Sequence, residues 1–162
     1  MPAVILDTDF LSSFLKVDRC DLIRQLYQVE QAIIPTAVHR ELAQTTLLPQ
    51  LLAIPWITVT TEIPAIDEML AQDSVFQALG SGEQECILLA RALPDAVLLM
   101  SDNKARQFAR SQGVIVANIP AFLLACKMAA LVSPEQMVQI INDLKTQDYY
   151  AFRPEIRRVL LE

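Results

Sequence analysis

Short apolar runs alternate with longer amphipathic stretches along this chain. Val4-Ile5-Leu6, Ala32-Ile33-Ile34, Ile57-Thr58-Val59-Thr60, Val97-Leu98-Leu99-Met100 and Val114-Ile115-Val116 are brief and mostly β-branched or leucine. Runs of that kind, bounded by turn residues, read as strands. Between them, apolar positions recur at the three- and four-residue spacing of helices. Thr8 or Asp9 suits the cap of a helix reaching Lys16, and Asp18 the cap of a second reaching about Val29. Pro35-Thr36 opens a helix carrying Val38, Glu41 and Leu42. Residues 47–54 read as a short helical turn bounded by Pro49 and Pro55. Pro64 suits the first turn of a helix running to about Leu79. Ser81 followed by Gln84 has the form of a capping box for the helix behind it. Asp102 or Asn103 caps the next, which Gly113 ends, and Pro120, Pro134 and Pro154 each open a further helix.

Strands alternating with helices predict an α/β fold, a central parallel sheet of about five strands between two helical layers. Right-handed crossovers place the first strand centrally and give the order 3-2-1-4-5. The ends of the first and fourth strands then lie side by side at the switch point, where such sheets place ligands.

Composition narrows the class. With 162 residues, the chain suits one domain with one core. A hydrophobic content of 53% with only 3 glycines excludes disordered and fibrous classes. Charged residues at 20% are sparse, which favours a buried partner surface such as a homodimer interface. A net charge of −6 argues against a broad phosphate-gripping face, so local basic clusters carry any such role. Cys20, Cys86 and Cys126 are odd in number and show no CxxC spacing, which suits a reduced, cytoplasmic protein. The first residues have no basic leader, and the long uncharged stretch 42–61 is too polar and proline-interrupted for a membrane span.

The candidate chemistry is acidic. Asp7 directly follows the first strand and Asp102 closely follows the fourth. Glu41 sits beside Leu42 and three residues past Val38, at the border of a buried helix face. Glu83 and Glu85 both lie in the first turns of a helix, with Glu85 sharing a direction with Leu88 and Leu89. Each acid alone is equally a helix cap, an ion-pair partner or a first-turn charge favoured by the helix dipole. Together, converging on one crevice, they would repel each other unless a hard divalent cation sat among them. A single histidine, His39, is too little for a zinc site or a Ser-His-Asp triad. Lys104, Arg106 and Arg110 on the helix after Asp102, with Lys16 and Arg40, are candidates for holding the phosphates of a single strand.

Four blocks in this order resemble the PIN-domain nucleases. They are Ile5-Leu6-Asp7-Thr8-Asp9, Ile34 through Leu42 with the core Pro35-Thr36-Ala37-Val38-His39-Arg40-Glu41, Gly82-Glu83-Gln84-Glu85-Cys86-Ile87-Leu88-Leu89-Ala90, and Leu99-Met100-Ser101-Asp102-Asn103-Lys104-Ala105-Arg106. The third is similar to a prokaryotic branch related to VapC-type toxins. The resemblance runs from residue 3 to about 130. It implies an acidic quartet of Asp7, Glu41, Glu85 and Asp102 holding Mg²⁺ or Mn²⁺, with Thr8, Asp9, Glu83 and Asn103 around it. It implies cleavage of single-stranded RNA by metal-activated water, and a toxin role with a small antitoxin partner. Two positions depart from the pattern: Asp9 stands where Asn or Ser is commoner, and Asn103 where a second acid is common. A PIN-like domain over 1–131 would carry the site. A helical extension over 132–162, containing Tyr149-Tyr150-Ala151-Phe152-Arg153, would pack on the core or on a sister subunit. Two other readings stand beside this one. A PIN-like module could bind RNA or protein without cutting. The first block also resembles the Asp-x-Asp loop of haloacid-dehalogenase phosphatases, although Phe10-Leu11 replaces the expected Gly-Thr.

Overall fold

A computed structural model describes residues 2–162. Its sheet has five parallel strands in the order β3-β2-β1-β4-β5, as the crossover rule predicts. They are β1 (Val4–Leu6), β2 (Ala32–Pro35), β3 (Ile57–Thr60), β4 (Val97–Leu99) and β5 (Ile115–Ala117). Every residue of β1 is fully buried, although alternate side chains point to opposite faces of a strand. Helices therefore cover both faces, as an all-parallel sheet requires. The edges are less protected, with Val59 on β3 and Ile115 on β5 exposed.

The helices are α1 (Thr8–Lys16), α2 (Asp21–Tyr27), α3 (Thr36–Ala43), α4 (Leu48–Leu52), α5 (Glu68–Gln72), α6 (Ser74–Ala78), α7 (Ser81–Ala92), α8 (Asn103–Ser111), α9 (Ile119–Met128), α10 (Pro134–Gln147) and α11 (Pro154–Leu161). The α7 helix packs on β1, β2 and β4, and also contacts α3. Helices α1, α2 and α9 meet through aromatic rings. Phe10 and Phe14 stack at 5.0 Å, and Phe122 approaches their edges at 5.5 and 5.2 Å. Tyr27 of α2 adds to the same group. Edge-to-face packing of this sort adds to the large area each ring buries. The C-terminal helices share this core: Met137, Ile140, Leu144 and Leu160 are buried within it.

Three local expectations are corrected. Asp18 does not cap a helix start. It ends α1 in the left-handed region (φ 55), with Asp18 N–H donating to Leu15 O and Arg19 N–H to Phe14 O. That is a Schellman closure with aspartate where glycine is usual, and it delays α2 to Asp21. Pro64 does not open a helix to Leu79. Asp67 accepts Leu70 N–H, and Asp73 accepts Val75 and Phe76 N–H, so two caps split the segment into α5 and α6. The box before α7 is shifted by one residue. Gly80 holds the N-cap position, and the Glu83 carboxylate accepts its N–H at 3.0 Å.

Phe122 is the ring shared by three of the four aromatic contacts of this group. Phe122→Ala should lower stability by about 3–5 kcal/mol, measured by urea unfolding. A loss below about 1 kcal/mol would mean that the aromatic cluster does not hold α9 to α1 and α2.

Candidate active site

The parallel topology brings several helix N-termini to the carboxyl edge of the sheet. Asp7 ends β1 and occupies the N-cap position of α1, and Asp102 follows β4 and caps α8. β1 and β4 pair directly from Val4↔Val97 to Leu6↔Leu99, so these two strand ends are neighbours. Asp7 is 2% exposed, the only buried carboxylate among the described residues. Burial pushes its carboxyl up to about 8, and the nearby Glu83, Asp9 and Glu41 push in the same direction. Glu83 and Asp9 are raised too, first by burial, then by other acids of the group. Asp102 is felt at both, and Glu41 at all three. Asp7, Asp9, Glu41, Glu83 and Asp102 thus form one electrostatic unit.

Helices α3 and α7 exchange carboxylates. Glu41 of α3 accepts Gly82 N–H at the start of α7 (3.2 Å), and the Thr8 hydroxyl donates to its other oxygen. Glu85 of α7 accepts Ala37 N–H at the start of α3 (2.7 Å). Each acid meets the positive end of the other helix, where unpaired N–H groups and the dipole favour negative charge. The consequence for Glu85 is that its carboxylate faces α3, while Glu83 lies among the charges around Asp7. Asp102 accepts Ala105 N–H at 2.8 Å.

No Lys or Arg salt-bridges any acid of this unit among the described residues; the two ion pairs are Lys16–Asp148 and Arg91–Asp67. The donors are all oxygens, the set hard divalent cations take. Gly82 leaves room for Glu41: a Cβ there would lie 2.8 Å from Glu41 Oε1. The residue types therefore fit a divalent cation. As the side chains stand, no three acidic, histidine or cysteine groups among the described residues are close enough to ligate one ion. The oxygens of Glu41, Glu83, Glu85 and Asp102 are held instead by backbone N–H groups and Thr8.

The basic candidates separate. Lys16 is tied to Asp148 at 2.8 Å, and Ser13 Oγ donates to the same carboxylate at 2.5 Å. Lys104, Arg110 and Arg40 are exposed. Arg106 donates to Asn103 Oδ1 at 3.1 Å, so Asn103 serves that guanidinium. Three features lay outside the sequence reading of the site. Cys86 places its sulfur 3.6 Å from Leu6 O and 3.9 Å from Asp7 Oδ1, a close neighbour and not just filler. Ser101 Oγ is buried beside Asp102 without a partner. Gly82 N–H serves Glu41, a contact across 41 residues of chain. Asp148 gave no signal, because its contacts with α1 span more than 130 residues of chain.

The Asp7 shift has a pH consequence. An acid whose folded value lies above its unfolded one binds more protons when folded, so it lowers stability as pH rises between the two values. Without added metal, stability should fall between about pH 4 and pH 8. Asp7→Asn should flatten that slope and raise the melting temperature at pH 8 more than at pH 5. Parallel wild-type and Asp7→Asn melting curves would contradict the burial argument.

A PIN-domain family model matches residues 3–162. Comparison with curated proteins and with solved structures finds no match. The match extends through the last helix, past the end of the four-block resemblance. PIN domains are generally nucleases and typically use divalent metals. The chain belongs to the PIN-domain family.

Proposed function

We propose that this protein is an Mg²⁺- or Mn²⁺-dependent endoribonuclease acting on single-stranded RNA. The observation that carries the reading is the buried Asp7 carboxyl, raised to about 8 amid Glu41, Asp9 and Glu83 with no basic side chain salt-bridged to them. A cluster kept in that state costs stability unless positive charge arrives with a ligand. Asp7, Glu41, Glu83 and Asp102 would hold the ion. Glu83 takes the place first expected for Glu85, because Glu83 shares the charge field of Asp7 while Glu85 steadies α3. When bound, a divalent ion supplies an activated water and positive charge for the phosphodiester.

The protein's own groups do the rest. Thr8 and Gly82 N–H fix the Glu41 carboxylate. Cys86 and the buried ends of β1 exclude bulk water from one side of Asp7. Lys104, Arg110 and Arg40 are exposed cations suited to flanking phosphates, and Lys16 would join them only by leaving Asp148. Thr8 starts α1 immediately after Asp7, so the loop of an Asp-x-Asp phosphatase has no place here. A cytoplasmic setting accords with three buried, unpaired cysteines. Among the described residues no helix is long and apolar enough to cross a membrane. A toxin role with a small antitoxin, and a homodimer, extend the same proposal.

Cleavage of labelled single-stranded RNA in Mn²⁺ and in EDTA tests the reading. Wild type should cut only with metal. Asp7→Asn should lose more than the roughly 10–100-fold typical of replacing an outer partner. Glu83→Gln should lose more than Glu85→Gln, and Gly82→Ala should fall about tenfold through displaced Glu41. Metal-independent cutting, or full activity in Asp7→Asn, would overturn the proposal. Metal-dependent RNA binding without any cutting would favour the non-cleaving module.

A further inference from the structure

The acidic unit opens sideways into a groove of about 690 Å³. Its walls are Val75 and Ala78 of α6, Leu79, and Phe108 of α8. Phe108 is backed by Phe76, ring centroids 5.6 Å apart, so that wall is rigid. Val75 stands 50% exposed on the groove and is open to contact by a ligand. At one end the groove is bounded by Glu83 and Asp102, two members of the acidic unit. Gln107 and Lys104 stand along its other side.

We propose that this groove is a subsite for one unpaired nucleobase of an RNA whose phosphate lies at the acids. The proposal rests on the nuclease reading of those acids. Three observations select this occupant. Apolar Val75, Ala78, Leu79 and Phe108 beside polar Ser74 and Gln107 match a base, which offers flat faces to contact and a polar edge to hydrogen-bond. Gln107 can both donate and accept at such an edge. Lys104 adds a cation beside the slot, so apolar wall and positive charge alternate as base and phosphate do along a strand. A base paired in a duplex could not enter, because its face and edge are already used. The groove thereby makes the site selective for single strands and sensitive to the base beside the cut.

The split of 64–79 into α5 and α6 builds this wall. Asp73 caps α6 and Gln84 of α7 donates to Phe76 O at 2.8 Å, which fixes α6 against α7. A continuous helix over that segment would lack the Asp73 turn that sets Val75 and Ala78 against α8.

The test uses fluorescence binding and cleavage of short single-stranded RNAs, each with one abasic position, moved base by base along the strand. Wild type should bind and cut about tenfold less well when one particular neighbouring base is missing, the usual effect of losing a base contact. Ala78→Trp, which fills the groove from an exposed position, should bind the intact RNA about tenfold more weakly and ignore the missing base. Val75→Asp, a surface change that places a charge in the slot, should behave alike and guards against a folding defect in the first variant. Mn²⁺ binding by both variants should match wild type. Unchanged RNA binding in both variants, or undiminished sensitivity to the abasic position, would overturn the subsite. Failure of the nuclease reading is separately visible: wild type would then cut nothing, while the binding comparison still judges the groove.

Discussion

Everything at the carboxyl edge of this sheet depends on negative charge held against helix N-termini. Gly82 N–H holds Glu41, Ala37 N–H holds Glu85, Ala105 N–H holds Asp102 and Gly80 N–H holds Glu83. Unpaired amides at a helix start favour an anion both by hydrogen bonding and through the dipole. Those contacts let several acids gather in a small space without unfolding the edge. Asp7 is different. It is buried at the N-cap of α1 yet makes no side-chain cap bond, and it carries the largest shift of the group. Asp7 and Asp9 are thus the acids of the group with no capping amide or salt-bridged cation holding their carboxylates among the described residues.

The reciprocal exchange between α3 and α7 ties this balance to the fold. Each helix contributes a glutamate to the other's first turn, so the two cannot separate without exposing both carboxylates and both amides. Gly82 makes the approach possible, since any side chain would strike Glu41. The same arrangement divides labour between two glutamates only two residues apart. One serves the helix pair and the other joins the charges around Asp7. The tail is held by similar means, with Asp148 gripping Ser13 and Lys16 on α1.

Most of the architecture was readable along the chain, and so was the place of Asp7 and Asp102 after their strands. The five strands were marked by their apolar runs, and the order followed from crossover handedness, because both depend on local composition and a general rule. Asp7 and Asp102 were identifiable because each follows a strand within a few residues. What could not be read were the consequences of side-chain competition for backbone groups. Asp18 reads as a helix start but ends α1, since aspartate tolerates the left-handed turn. Asp67 and Asp73 break a helix that periodicity alone would continue. Glu85 accepts Ala37 N–H, a contact across 48 residues that spacing on one helix does not reveal. Lys16 looked free for phosphate because Asp148, its partner, is distant in sequence.

The central claim is that a divalent ion completes the charge balance around Asp7. It is tested most directly by titrating Mn²⁺ into the protein at pH 7 in buffers of different ionisation enthalpy, which reports the protons released per ion bound. Because Asp7 is largely protonated at that pH when unliganded, binding should release about one proton, and Asp7→Asn should release none. Absence of Mn²⁺ binding, or tight binding with no proton released, would contradict the account.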